Sequence, residues 1–262
     1  MGIRFAYAKA ATCIAAVFAL AACSTNSTYP AYKDVMQDKD AFLRAHFSPD
    51  QLPARVVDRI KSADNVAPSF SQGELIMSPH GTTNTGETDK IARENVMKIV
   101  TASGGYLLAY QEDKSNEVNG VTTFATSYRG FFSLKTQYFA PGQAYGTMSL
   151  NIIEISDMPA VSEIRPNSQL VYRYTMGAGT RPSDYKKLVM TCKGGDEFPA
   201  STINPKITGG AFKLNCQVAD EFGAVTNNSE VVYLENYGFA IAHKNFGPNF
   251  TVDFEVKDLQ VN

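Results

Sequence analysis

Tryptophan is missing from this chain and histidine occurs three times. Neither sign of charge dominates, with 24 basic residues facing 26 acidic ones over 262 residues. Each shortage removes a class of function. Without a basic excess or stripe there is no electrostatic footprint for nucleic acid. His46, His80 and His243 lie far apart in different predicted elements, so no histidine pair has helical metal-ligand spacing. A Gly-x-Ser-x-Gly elbow is absent as well. The stretch Gly81-Thr82-Thr83-Asn84-Thr85-Gly86-Glu87-Thr88 has the glycine spacing of a phosphate loop. Glu87, however, stands where that motif requires the lysine that meets the phosphates, and a carboxylate repels them. The acidic pairs Glu112-Asp113, Asp196-Glu197 and Asp220-Glu221 fall near predicted turns. They read as solvated groups rather than as the opposed carboxylates of a glycosidase. These residues call for no cofactor and no metal, and they assign no catalytic group.

What is present begins at the N-terminus. Arg4 and Lys9 make a basic head, residues 10–22 are apolar or small, and Leu20-Ala21-Ala22-Cys23 closes the segment. The run is too short for a spanning helix and has the layout of an export signal. Its boundary resembles the lipobox of bacterial lipoproteins at all four positions. That resemblance implies that residues 1–22 are removed as a signal peptide. Cys23 then becomes the N-terminus, carrying acyl chains on its sulfur and amino group, and residues 23–31 form a lipidated tether. Ser24 after the cysteine, in place of the aspartate that signals inner-membrane retention, implies an outer-membrane anchor with the protein facing the periplasm. One acyl chain holds a protein only marginally, at about 0.8 kcal/mol per buried CH₂, so several make a near-permanent anchor. Loss of Arg4 and Lys9 leaves a mature formal charge near −4.

Four cysteines agree with export. Cys13 leaves with the signal and Cys23 is the lipid site, so Cys192 and Cys216 remain as a pair in an oxidising compartment. Leu188, Met190 and Cys192 share one strand face, and Phe212, Leu214, Cys216 and Val218 share another, so both sulfurs point to apolar sides. A disulfide closing this loop is expected to stabilise by about 3 kcal/mol. Two cysteines without a histidine cluster are poor zinc ligands.

Residues 32–64 read as a helical segment. Tyr32, Val35, Met36, Phe42, Leu43 and Phe47 recur at three and four, and a second helix starts near Ser48-Pro49-Asp50-Gln51 or, delayed by its second proline, at Pro53. Residues 65–157 read as an α+β subdomain. It opens with a short strand at 74–77 and a helix capped by Thr85 or Thr88. Ala92, Val96, Ile99 and Val100 line that helix, and Gly104-Gly105 stop it. Strands follow at 106–111, 121–128, 131–139 and 145–155. In the third of these, Phe132, Leu134, Thr136 and Tyr138 form one face. Residues 158–168 carry two prolines without a clear period and mark an internal boundary. Residues 169–262 read as an antiparallel β subdomain with strands at 169–176, 186–193, 211–219, 230–234, 238–243 and 250–257.

The expected fold is therefore α+β, with N-terminal helices followed by a predominantly antiparallel β body, either a sandwich or an open barrel. Two clusters are candidate binding features, Tyr128-Arg129-Gly130-Phe131-Phe132 and Tyr172-Arg173-Tyr174, because rings with a guanidinium recur at interface hot spots. The expected partners are the membrane, through the acyl chains, and an envelope protein or an apolar ligand. The expected role is a non-catalytic binding or scaffolding module. One alternative is a carrier of lipid, which requires a large cavity lined by Phe, Tyr and Leu. A second is a periplasmic hydrolase whose site is assembled from distant residues, with His80 or His243 as its base.

Overall fold

A computed structural model of the protein describes residues 29–88, 93–178 and 182–262. Three short helices come first: α1 (Tyr32–Gln37), α2 (Lys39–Phe47) and α3 (Ala54–Ala63). Twelve strands follow. The first six are β1 (Gln72–Thr83), β2 (Arg93–Thr101), β3 (Tyr106–Ser115), β4 (Val118–Tyr128), β5 (Phe132–Phe139) and β6 (Leu150–Asp157). The rest are β7 (Gln169–Ala178), β8 (Lys186–Pro199), β9 (Gly210–Asp220), β10 (Val225–Leu234), β11 (Phe239–Phe246) and β12 (Phe250–Val261). Each strand pairs antiparallel with its sequence neighbour, and β12 returns to β1, so the sheet closes into one barrel.

This corrects the expected fold class. The molecule is an all-β closed barrel, neither α+β nor an open barrel or sandwich, and its helices form a partial cover. The strands of the two expected subdomains belong to one sheet, with β6 pairing to β7 across the connection at 158–168.

The helix expected after Thr88 is instead strand β2. Ala92 lies outside the described residues, but Asn95 and Ile99 are buried with Met97 partly buried between them, an alternation of two. Val96, Ile99 and Val100 fit a helical stripe equally well by spacing. They are β-branched, and both neighbouring strands offer complete ladders, from Gln72↔Val100 to Met77↔Asn95 and from Arg93↔Ser115 to Thr101↔Leu107. The expected 74–77 strand is likewise longer, running on through Gly81 to Thr83.

In β5 the expected single face breaks. The register jumps from Ser127↔Ser133 to Thr126↔Lys135, leaving Leu134 as the extra residue of a bulge. Beyond it the parity flips, so Gln137 and Phe139 are buried and Tyr138 is exposed. Near the N-terminus the long first helix divides at Asp38, whose carboxylate accepts from the Ala41 amide at 2.9 Å and caps α2. Pro53 stands immediately before α3, as its fixed φ favours.

Two hydrophobic cores result. Tyr106, Leu108 and Tyr110 of β3, with Val231 and Tyr233 of β10, join the core that also takes Phe42, Leu43, Phe47, Val56 and Ile60 of the helices. The intervening Leu107, Ala109, Val232 and Leu234 enter a second core with Leu75, Met77, Phe239 and Leu259. Strands buried on both faces need a cover for each, and the ladder shows where. Between β5 and β6 only Lys135↔Asn151 and Thr136↔Leu150 are in register. The helices splint that seam: the Lys135 ammonium donates to the His46 carbonyl (2.7 Å), while Arg55 and Arg59 donate to the Ile153 and Met158 carbonyls (2.6 and 2.9 Å). Between β11 and β12 three pairs are in register, Lys244 to Phe246 against Asp253 to Thr251. There the β8–β9 connection takes over. Asn204 donates from its amide to the Val256 and Lys257 carbonyls, both at 3.1 Å, and Ala200 and Ile207 are buried in the second core.

Candidate functional site

The two aromatic clusters singled out in the sequence come together in space. Phe131 and Phe132 lie 5.8 and 4.9 Å from the Tyr172 ring, centroid to centroid, Phe132 lies 5.0 Å from Tyr174, and Tyr128 lies 6.2 Å from Phe131. They meet because β4 turns into β5 through Arg129 and Gly130, both at positive φ (51° and 78°), which turns this hairpin tip back against the start of β11. The Ala240 amide donates to the Arg129 carbonyl at 2.8 Å. A side chain at Gly130 would collide with the Ala240 carbonyl.

Arg129 is the centre of this cluster. Its Nε and Nη2 donate to Asp64 Oδ2 at 2.8 and 2.7 Å, Nη2 also donates to the Val66 carbonyl (2.6 Å), and Nη1 donates to the Gly238 carbonyl (2.7 Å). Both side chains of the pair are almost fully buried, at 3% and 0% exposure. Asp64 is the residue that ends α3, and its other oxygen accepts from the Val66 amide at 2.9 Å. One ion pair therefore ties the helical cover to the β4–β5 tip and to the start of β11. Gly105 makes room, since a Cβ there would lie 2.5 Å from Asp64 Oδ2 and 2.7 Å from Arg129 Nε.

Tyrosines surround the pair. Tyr106, Tyr128 and Tyr172 are buried, and their hydroxyls have no hydrogen-bond partner among the described residues. Burial, followed by the neighbouring Asp58 carboxylate, pushes Tyr106 up to about 12, and burial, followed by the Asp64 carboxylate, raises Tyr128 as well. Burial, followed by the Tyr233 and Glu163 hydroxyl and carboxyl groups, raises Tyr172 too. These phenols stay neutral through the physiological range and offer no phenolate nucleophile. The rings are part of the core, and of the second expected cluster only Arg173 is solvent-exposed, 3.8 Å from Asp157. Sequence reading grouped the rings but missed Asp64, which stands in no motif and becomes important only through the fold.

The remaining candidates stay apart. Cys192 and Cys216 are direct cross-strand partners on β8 and β9 and form the expected disulfide. Cys23, with the expected signal peptide and most of the expected tether, lies outside the described residues. His46 is on α2, stacked 4.5 Å from Phe42. His80 on β1 has Nε2 3.5 Å from Glu255, and His243 on β11 has Nδ1 2.9 Å from Glu230. The structure does not bring them together. Of the acidic pairs, Asp220 sits at a turn, accepting from the Phe222 and Ala224 amides (both 2.9 Å). Glu112-Asp113 and Asp196-Glu197 instead lie within β3 and β8, with Glu112 3.2 Å from Lys39. A polar surface hollow of about 880 Å³ is lined by Arg93, Glu94, Lys114 and Glu117. A second of about 410 Å³ is lined by Asp40, Arg44, Glu74, Lys98 and Tyr110, with Glu74 and Lys98 paired across it, and another of about 510 Å³ by Lys193, Asn215, Gln217 and Phe246.

Neither a protein-family model nor a curated protein sequence matches the chain. Among solved structures, a DUF1329 family protein from Desulfovibrio piger is similar over 78% of this chain and 90% of that one, at 9% identity and a TM-score of 0.33. A likeness at that level adds nothing to the geometry.

Proposed function

We propose that the protein is a non-catalytic binding or scaffolding module of the cell envelope, held at the outer membrane by acyl chains on Cys23 and facing the periplasm. The observation that supports a non-catalytic role is the fate of the aromatic and charged cluster. Its rings, its arginine and its aspartate are all engaged in joining the helices to the barrel, so the residues that best resembled a binding site are bound to the protein itself. The histidines that would serve a hydrolase lie on separate elements. Exposed Lys193, Asn215 and Gln217 at mid-strand favour tethering over spanning, because a barrel that crosses a bilayer carries an apolar band there.

Native mass spectrometry of the mature chain, exported without its lipid and purified gently, tests this reading. The expected spectrum shows the chain with an envelope protein bound and no small adduct. An added mass of roughly a few hundred daltons that disappears on denaturation would instead make the barrel a carrier of an apolar ligand.

A further inference from the structure

Because every strand is antiparallel to the next, the β1–β2, β3–β4, β5–β6, β7–β8, β9–β10 and β11–β12 connections all lie at one end of the barrel. Ten of the eleven exposed large hydrophobic side chains among the described residues are at that end, and only Val66 is at the other. The most exposed are on hairpin tips: Phe222 at 87%, Val118 at 68%, Tyr145 at 58% and Phe250 at 48%. Such a ring of greasy tips is not a by-product of folding, since the opposite turns bury theirs, with Phe70, Tyr106 and Phe239 all below 10% exposed.

The N-terminal chain reaches the fold at this same end. Ala31 forms a bridge with Tyr145, and the Gly146 amide donates to the Pro30 carbonyl at 3.1 Å. Five residues lie between Cys23 and Tyr29, six steps of chain with a covalent reach of at most about 20 Å. The longest strand, β8, has 14 residues and the others 8–12, so the barrel stands roughly 30 Å tall once the strands tilt. Acyl chains on Cys23 would thus hold the apolar rim near the bilayer and keep the opposite end away from it.

We propose that this rim docks on the phospholipid surface that holds the acyl chains, with Phe222, Phe246 and Phe250 entering the headgroup region. The choice of a bilayer as occupant rests on the lipid anchor at Cys23. Two charge pairs at the rim, Lys114 3.4 Å from Glu94 and Lys244 2.8 Å from Asp253, are mutually neutralised, so the contact is driven mainly by apolar transfer rather than by attraction to anionic lipid. Docking fixes the orientation of the barrel, presenting the end that carries Gly130, Asn167 and the β8–β9 connection to the periplasm.

The absence of tryptophan supplies the probe. Phe222→Trp gives the chain a single indole at the rim, and Val66→Trp gives one at the other end. Both are placed in the mature chain carrying Cys23→Ser, which cannot be acylated there, and mixed with phosphatidylethanolamine–phosphatidylglycerol vesicles. The expected result is a blue shift, quenched by brominated lipid, for Phe222→Trp only, changing little with salt. Phe222→Ser with Phe246→Ser and Phe250→Ser should lower vesicle partitioning by about tenfold or more. No shift at the rim, or equal shifts at both ends, overturns the proposal. A shift that grows with protein concentration in the absence of vesicles also overturns it and makes the rim a contact between copies of the chain. The acylation reading fails separately, if wild-type protein taken from membranes carries no acyl mass while the unacylated chain still binds vesicles.

Discussion

Arg129 is the residue on which two parts of the molecule depend, because a buried guanidinium and carboxylate are tolerated only as a pair with their remaining donors satisfied. Arg129→Met leaves Asp64 buried without its partner and is expected to cost about 3–5 kcal/mol in denaturant unfolding, with Asp64→Asn added to it recovering part of the loss. A cost under about 1 kcal/mol would mean that the pair does not hold the helices to the barrel. Two histidines contribute to the loss of stability just below neutral pH. Burial, then Lys135, holds His46 below the usual imidazole value. Burial, then Lys213, does the same for His243, against the opposing pull of Glu230. Unfolding raises both back to about 6.5, so the unfolded chain binds more protons, and the stability they contribute is present above that pH and lost as pH falls through the lowered values. Thermal midpoints should therefore drop by a few degrees between pH 7 and pH 5.5, and His243→Gln should flatten that slope. An unchanged slope would show that His243 titrates normally.

At the scale of elements, the strands of the second half were legible because the chain alternates cleanly and its turns carry glycine. Every strand expected from residue 169 onward exists, most of them extended by a few residues. The disulfide was legible for the same reason, since two cysteines on apolar strand faces could be matched without knowing the register. Strand β2 was not legible. Its apolar positions satisfy both periods, and what decides between them is the pair of ladders supplied by β1 and β3, which local sequence does not contain. The Leu134 bulge was equally hidden, since nothing in the residues of β5 announces the slip that turns Tyr138 outward. The helices look like a separate segment in sequence, yet they cover the thin β5–β6 seam. Ile60 of α3 is fully buried there, so Ile60→Ala is expected to destabilise by about 2–5 kcal/mol, with amide exchange increasing first in β5 and β6. Equal protection of those strands in the variant would show that the seam does not rely on α3.

For the whole molecule, closure was the hardest feature to foresee. A barrel is defined by its last strand meeting its first, and the Gly73↔Val261 to Thr83↔Phe250 register joins the two ends of the β region, more than half the chain apart. The closed sheet removes free edges, and the helices and the β8–β9 connection cover its two thin seams, leaving one end rich in exposed apolar side chains where the chain enters at Pro30 and Ala31. The proposed orientation at the membrane depends most directly on acylation of Cys23. Intact-mass analysis of the wild-type protein extracted from membranes is predicted to give a chain beginning at Cys23 and heavier than the polypeptide by several hundred daltons of acyl groups. A mature chain beginning elsewhere, or one beginning at Cys23 without added mass, would contradict it.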